Sequence, residues 1–335
     1  MPTLRGAKGL YDPTFEQDAC GVGFVARPSS QPSRDIVEMA LEAVVKLTHR
    51  GALDADAKTG DGAGILVQLP RRFFTRELER MGLRLDRPEE LAVAMVFLPQ
   101  PEGEAARARE ALEARARARG LRVLAWRQVP VDPSVLGDKA RSTMPRIEQM
   151  LVVPAVPLDA EAYERALYLV RKEAEADFAR QELDCYIPYF SHRTVVYKGL
   201  LVAWQLRGFY LDLQDPLFES ALAIFHQRYS TNTFPTWPLA QPFRMLAHNG
   251  EINTLMGNYN WMRAREPELS SRLWGQDIES LKPIIVPGGS DSAMLDNALE
   301  ALVLSGRDLL HAMLMLVPEA WERMPDLDPA WRDFY

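Results

Sequence analysis

Cysteine is scarce in this 335-residue chain, which carries only Cys20 and Cys185. Two cysteines are too few for a disulfide framework or a four-cysteine zinc site, and they suit a reducing compartment. Basic charge is not in excess either. Lys and Arg total 39 against 46 for Asp and Glu, a net charge of −7, so the basic surface that phosphate backbones require is missing and nucleic acid is not an expected partner. Long apolar runs are lacking too. No segment reaches the ~18 uninterrupted apolar residues of a membrane span. The short stretch 21–26 follows the acidic Glu16-Gln17-Asp18 and is too short for the core of a signal peptide. No membrane association is expected, and the cytoplasm is the default compartment. The five histidines are His49, His192, His226, His248 and His311. None lies three to five residues from another, so no dedicated metal site is expected.

What the chain does have is an ordinary globular composition, 47% hydrophobic and 25% charged, which argues against disorder. Its length gives a soft prior of about two domains, although single domains of this size exist. Residues 1–19 carry Pro2, Gly6, Gly9 and Pro13 without any helical or strand period and read as a leader or extended arm. Apolar runs predict strands at 22–26, 65–69, 91–98, 121–129, 221–229 and 243–247. Helical spacing and propensity predict helices at 35–47, 102–119, 159–182, 252–265, 292–304 and 308–316. The stretch from about 70 to 185 alternates strands and helices but holds no polar constellation suited to chemistry, and it reads as a structural insertion. In the second half, polar residues crowd the strand ends.

Cys20 sits in Asp18-Ala19-Cys20-Gly21-Val22-Gly23. The usual fate of a lone cysteine is a buried structural thiol. The alternative is a nucleophile exposed by removal of the leader. A freed α-amine, with a reference pKa of ~7.7–8.0, would serve as general base for its own thiol, as in enzymes with an N-terminal threonine. Cys185, in Asp184-Cys185-Tyr186, has no such context and reads as structural. Arg228 ends an apolar run, where its guanidinium fork suits a carboxylate; a plain surface arginine is the competing reading. In His248-Asn249-Gly250-Glu251 an Asn amide and a glycine N–H can form a two-donor oxyanion hole, although Asn-Gly more commonly marks a turn. In Gly288-Gly289-Ser290-Asp291-Ser292, Ser290 or Asp291 can cap the helix that follows, and an acid held there can also pair with an ammonium group. The run Gly60-Asp61-Gly62-Ala63-Gly64 lacks the Gly-Lys-Ser/Thr of a phosphate-binding loop, and Gly21-Val22-Gly23 lacks the third glycine of a dinucleotide fingerprint.

The order of these segments carries more than any one of them. Asp18-Ala19-Cys20-Gly21-Val22-Gly23-Phe24 resembles the processed start of the amidotransferase domain of glutamate synthase large subunits. His49-Arg50-Gly51-Ala52, the 60–66 run, Ser191 through Gly199, Phe225-His226-Gln227-Arg228-Tyr229-Ser230-Thr231-Asn232-Thr233, His248 through Thr254 and Gly289 through Ala293 resemble later blocks of the same domain. The resemblance runs from about residue 11 to the end. The wider group is the class II glutamine amidotransferases, which are N-terminal-nucleophile hydrolases. It implies an α/β fold, a four-layer α/β/β/α sandwich, over 20–335 behind a leader at 1–19. It implies Cys20 as nucleophile with its own α-amine as base, and Asn249 with the Gly250 N–H as oxyanion hole. Arg228 would hold the α-carboxylate of L-glutamine and Asp291 its α-ammonium, with Thr231 and Arg50 as further pocket members.

The resemblance also implies that ammonia passes to a synthase domain, absent here, which aminates 2-oxoglutarate. That domain would use FMN, an iron–sulfur cluster and electrons from an NADPH-oxidising small subunit or from ferredoxin. No cofactor is expected on this chain. The family's domain continues into further strands past Tyr335, so a C-terminally truncated sandwich, from a fragment or a split gene, is the expectation. A different class II amidotransferase, or an inactive relative that binds glutamine or a partner, are the alternatives. Retention of Cys20, Arg228, Asn249, Gly250 and Asp291 together argues against inactivity.

Overall fold

The computed structural model of the chain describes residues 21–228 and 233–335. Residues 1–19, read above as a leader, and Cys20 and Thr231 lie outside these residues. The strands are β1 (Val22–Ala26), β2 (Ala63–Gln68), β3 (Ala92–Leu98), β4 (Leu121–Gln128), β5 (Arg146–Pro154), β6 (Tyr186–Ser191), β7 (Thr194–Gly199) and β8 (Leu222–Gln227). The helices are α1 (Arg34–Lys46), α2 (Arg71–Arg80), α3 (Glu102–Ala118), α4 (Asp138–Ser142), α5 (Ala160–Arg180), α6 (Ala203–Phe209), α7 (Leu255–Arg265), α8 (Asp291–Leu304), α9 (Leu309–Leu316) and α10 (Pro329–Phe334).

Two antiparallel four-stranded sheets result, one in the order β1-β8-β2-β7 and the other β4-β5-β3-β6. β3 shows why they stack. All seven of its residues are buried. Val93, Met95 and Phe97 join the core shared with the first sheet, while Ala92, Ala94, Val96 and Leu98 meet α3 and α5. A strand covered on both faces needs apolar residues at every position, hence the unbroken run. α3 approaches closely because its buried stripe is mostly alanine: Ala105, Ala108, Ala111 and Ala116, with Leu112. α1 packs Ile36, Val37, Ala40 and Val44 into the core with Ile65, Val67, Ala223 and Phe225 of the first sheet. On that sheet's opposite face, Leu66, Val196 and Ile224 meet Tyr189 of β6. The arrangement is a mixed α/β fold consistent with the expected sandwich. The chain crosses between sheets in two residues, His192 and Arg193, separating β6 from β7. The stretch read as an insertion supplies β3, β4 and β5, and β6 begins just past its end.

One predicted strand is absent. Residues 243–247 are irregular. A local turn and side chains, not a neighbouring strand, take up backbone groups there and just beyond: Phe243 N–H donates to Leu246 O at 2.9 Å, Met245 N–H to Asp296 Oδ1 at 2.7 Å, and His248 N–H to Gln241 Oε1 at 2.8 Å. The helix predicted from 252 starts only at Leu255. The N–H of Ile252 is engaged by Asp291 Oδ2 at 3.2 Å, and Thr254 sits in the left-handed region at φ 59°. No helix among the described residues is long and apolar enough to cross a membrane.

Candidate active site

The site builds around the first described residue. Gly21 O accepts from Gln227 N–H at 2.7 Å, and β1 runs beside β8 with Val22 opposite His226. A Cβ on Gly21 would lie 2.3 Å from Gln227 O and 2.9 Å from the Asn249 carboxamide. Glycine is required there because two elements close on the backbone at once. The residue after Cys20 is therefore in contact with Asn249 and with the end of β8.

Arg228 follows β8 directly. Its N–H donates to Gly62 O at 2.9 Å, and its φ is 127°, a conformation that strains a non-glycine residue and is characteristic of functional positions. Arg50 ends a short 3-10 turn, Thr48–Arg50. The following Gly51 lies against the Gln227 amide and Asp61, where a Cβ would meet Gln227 Nε2 at 2.1 Å. Arg50, the 60–62 loop and Arg228 thus gather at the same end of the first sheet.

Asn249 and Gly250 stand on the loop that joins β8 to α7. The backbone N–H groups of Gly21 and, at 3.3 Å, of Val22 point at one end of the Asn249 carboxamide, which assigns that end as its oxygen and sets its nitrogen 2.5 Å from His226 Nε2. Gln241 grips the preceding residue from both sides, accepting from His248 N–H and donating to His248 O at 2.9 Å. His248 Nδ1 lies 3.1 Å from Ser292 Oγ. Burial pushes the His226 imidazole down, to about 4.

Ser290, not Asp291, caps α8, accepting from Ala293 N–H at 3.2 Å. This leaves Asp291 as the first helical residue. Its Oδ1 accepts from Ser292 N–H at 2.6 Å while its Oδ2 takes the Ile252 N–H, which ties the loop that carries Asn249 and Gly250 to the head of α8. A groove of about 670 Å3 between α7, α8 and α9 has Ile252 and Asp291 among its lining residues, with Leu255, Trp261, Met294 and Met315 among its apolar walls. Arg50, Arg228 and Asn249 do not line it.

The structure therefore joins Asn249, Gly250 and Asp291 through one hydrogen-bonded loop, and brings Arg228 and Arg50 to the same sheet end as Gly21. Cys20 and Thr231 lie outside the described residues. Sequence reasoning missed His226, Gln241, His248 and Ser292, which hold the site without a motif of their own. A polar residue inside an apolar run, as His226 is, was the available signal. Cys185 is half-buried, and burial raises its thiol far above the ordinary range, as befits an inert residue. No cluster of three or more His, Cys, Asp or Glu suited to a metal occurs among the described residues.

The family profile of class-II glutamine amidotransferases matches residues 20–335. The NADPH glutamate synthase large chain of Azospirillum brasilense is 47% identical over 312 residues, which is 92% of this chain and 20% of that protein. The ferredoxin-dependent glutamate synthase 2 of Synechocystis is 45% identical over 96% of this chain and 21% of its own length. The NADH glutamate synthase of Saccharomyces cerevisiae is 44% identical over 98% of this chain and 16% of its own length. The chain spans about a fifth of the length of the curated relatives it matches. It belongs to the class II glutamine amidotransferases, as a domain of the kind found in glutamate synthase large chains.

Proposed function

We propose that this chain hydrolyses L-glutamine to glutamate and ammonia with Cys20 as an N-terminal nucleophile. The observation that carries the reading is the contact of Asn249 with Gly21, because it puts the amide beside the residue that follows Cys20. The family match also opens on Cys20. With residues 1–19 removed, the α-amine takes the thiol proton. The sulfur attacks the side-chain amide carbon, forming a C–S bond and an oxyanion. Asn249 Nδ2 and the Gly250 N–H meet that charge, each such donor being worth ~3–4 kcal/mol in comparable sites. The α-ammonium returns the proton to the leaving nitrogen, the C–N bond breaks and ammonia departs. Water then hydrolyses the thioester and regenerates the thiol.

Arg228 grips the α-carboxylate and Asp291 the α-ammonium, with Arg50 and Thr231 as further pocket members. The ammonia is passed on to a synthase portion that aminates 2-oxoglutarate, in the cytoplasm, with NADPH or ferredoxin as electron source. The FMN and iron–sulfur cluster of that reaction belong to the synthase portion. The residues of this chain do not fit the cluster, since it needs several thiolates and Cys185, the one cysteine besides the nucleophile, is held protonated by burial.

A glutaminase assay on Cys20→Ala and Asn249→Ala tests the reading. Cys20→Ala is expected to release no glutamate. Asn249→Ala is expected to lower kcat by about 10²–10³ with KM for glutamine little changed, because the lost donor acts only on developing charge. Wild-type kcat in either variant would overturn the assignment.

A further inference from the structure

His226 is wholly buried on β8 and is used by none of the roles above. Its Nε2 faces Asn249 Nδ2 at 2.5 Å, and the other end of the same carboxamide accepts from Gly21 N–H. We propose that His226 is a positioning residue for the oxyanion hole, acting as the acceptor that fixes which end of the Asn249 amide is the donor. The inference rests on the oxyanion role proposed for Asn249.

A carboxamide has two ends of nearly equal size, and only its nitrogen can stabilise an oxyanion. Turned over, Asn249 would set its oxygen against the His226 acceptor and its nitrogen against the Gly21 N–H donor, two mismatches in a buried site. Gly21 supplies one half of this discrimination through the backbone, which any residue would supply. His226 supplies the other half, and only a neutral imidazole with its proton on Nδ1 can do so. The surroundings keep it neutral. Its strand neighbours are Val22 and Gly64. The ionisable groups facing it are His248 on the loop, which disfavours a second positive charge, and Lys198, which pairs with Gly64 from the other side. Lys198 is itself buried, its ammonium held well below its usual range by burial. An amide nitrogen has two hydrogens, so donation to His226 orients the group and is compatible with donation to the oxyanion.

The test compares His226→Leu, which fills the site without an acceptor, with His226→Gln, whose terminal oxygen reaches the place of Nε2, and His226→Asn, whose oxygen does not. L-glutamine is the substrate and the whole chain is used. His226→Leu is expected to lower kcat roughly tenfold to a hundredfold, less than loss of the donor itself, with KM within about twofold. His226→Gln is expected to recover most of that kcat. A wild-type kcat in His226→Leu, or a loss confined to KM, would overturn the proposal. If His226→Leu does not fold, equal kcat in the Gln and Asn variants overturns it, and an active Gln with an impaired Asn variant supports it. Asn249→Ala, assayed alongside, separates the two levels. If Asn249→Ala is impaired and His226→Leu is not, this inference alone falls. If Asn249→Ala keeps full kcat, the oxyanion reading falls first.

Discussion

Arg228 holds a backbone conformation, φ 127°, that costs an L-residue on the order of 1–3 kcal/mol. A chain tolerates such strain where the side chain must leave its strand in a set direction. Arg228→Gly is therefore expected to melt no lower than wild type while its KM for glutamine rises about a hundredfold, since a charge-assisted pair is lost. A lower melting temperature with unchanged KM would contradict both parts. His226 makes a second prediction at this scale. Its folded value, about 4, lies below the ~6.5 of a free imidazole, so the unfolded chain binds more protons between these pH values. Stability then rises with pH across that window. The contribution is present in full above pH ~6.5 and is lost as pH falls towards 4, on the order of 3 kcal/mol in all. Urea melts of wild type and His226→Gln at several pH values check this: the variant's stability is expected to fall less over that window. The blocks that hold Asn249 and Asp291 could be picked out in the sequence by their residue types, and the structure brings these two blocks together through Asp291 and the Ile252 N–H; Cys20 lies outside the described residues. His226 could not be picked out, because a histidine inside Leu222–Gln227 reads as a core residue until its partner across the loop is known.

Among the elements, the segment from residue 233 to 250 departs most from its sequence pattern. Its apolar 243–247 run predicts a strand, yet Asp296, Gln241 and Lys198 hold the segment by side chains: Asp296 through Met245 N–H, Gln241 through His248, and Lys198 Nζ through Pro238 O at 2.8 Å. A one-dimensional pattern cannot show that backbone partners will come from side chains far along the chain. Strands and helices with strong periods, such as β1, β3, α3 and α5, were legible because local pattern and packing agree there. At the head of α8 the sequence left Ser290 and Asp291 as rival caps, and the structure assigns the cap to Ser290. Ser290→Ala is expected to cost about 1 kcal/mol of stability. It is also expected to raise KM for glutamine several-fold, because Asp291 loses its fixed start of helix. A denaturant melt and steady-state kinetics on the same sample check both; a stability loss with KM unchanged would detach Asp291 from the ammonium role.

Across the whole molecule, the two sheets are tied by a buried polar knot as well as by apolar packing. Arg127 of β4 donates twice to Asp212 at 2.7 Å and once to Gln149 of β5 at 3.0 Å. Tyr197 of β7 donates to Asp212 at 2.8 Å and accepts from Gln149 at 2.9 Å, so both sheets share one network. Removing one member strands the others, and Arg127→Ala is expected to destabilise the fold by about 3–5 kcal/mol, measured by urea unfolding, with kcat/KM of the folded fraction unchanged. No sequence period marks such a knot, since its members lie far apart in the chain and meet only once the sheets have stacked. At this scale the proposed function requires that the chain mature to expose Cys20 as its nucleophile. The most direct test is the intact mass of the expressed chain after exposure to a diazo-ketone analogue of glutamine. Loss of residues 1–19 and a single adduct that maps to Cys20 are expected. An adduct elsewhere, or a processed chain that stays unlabelled while a Cys20→Ala variant still releases glutamate, would contradict it.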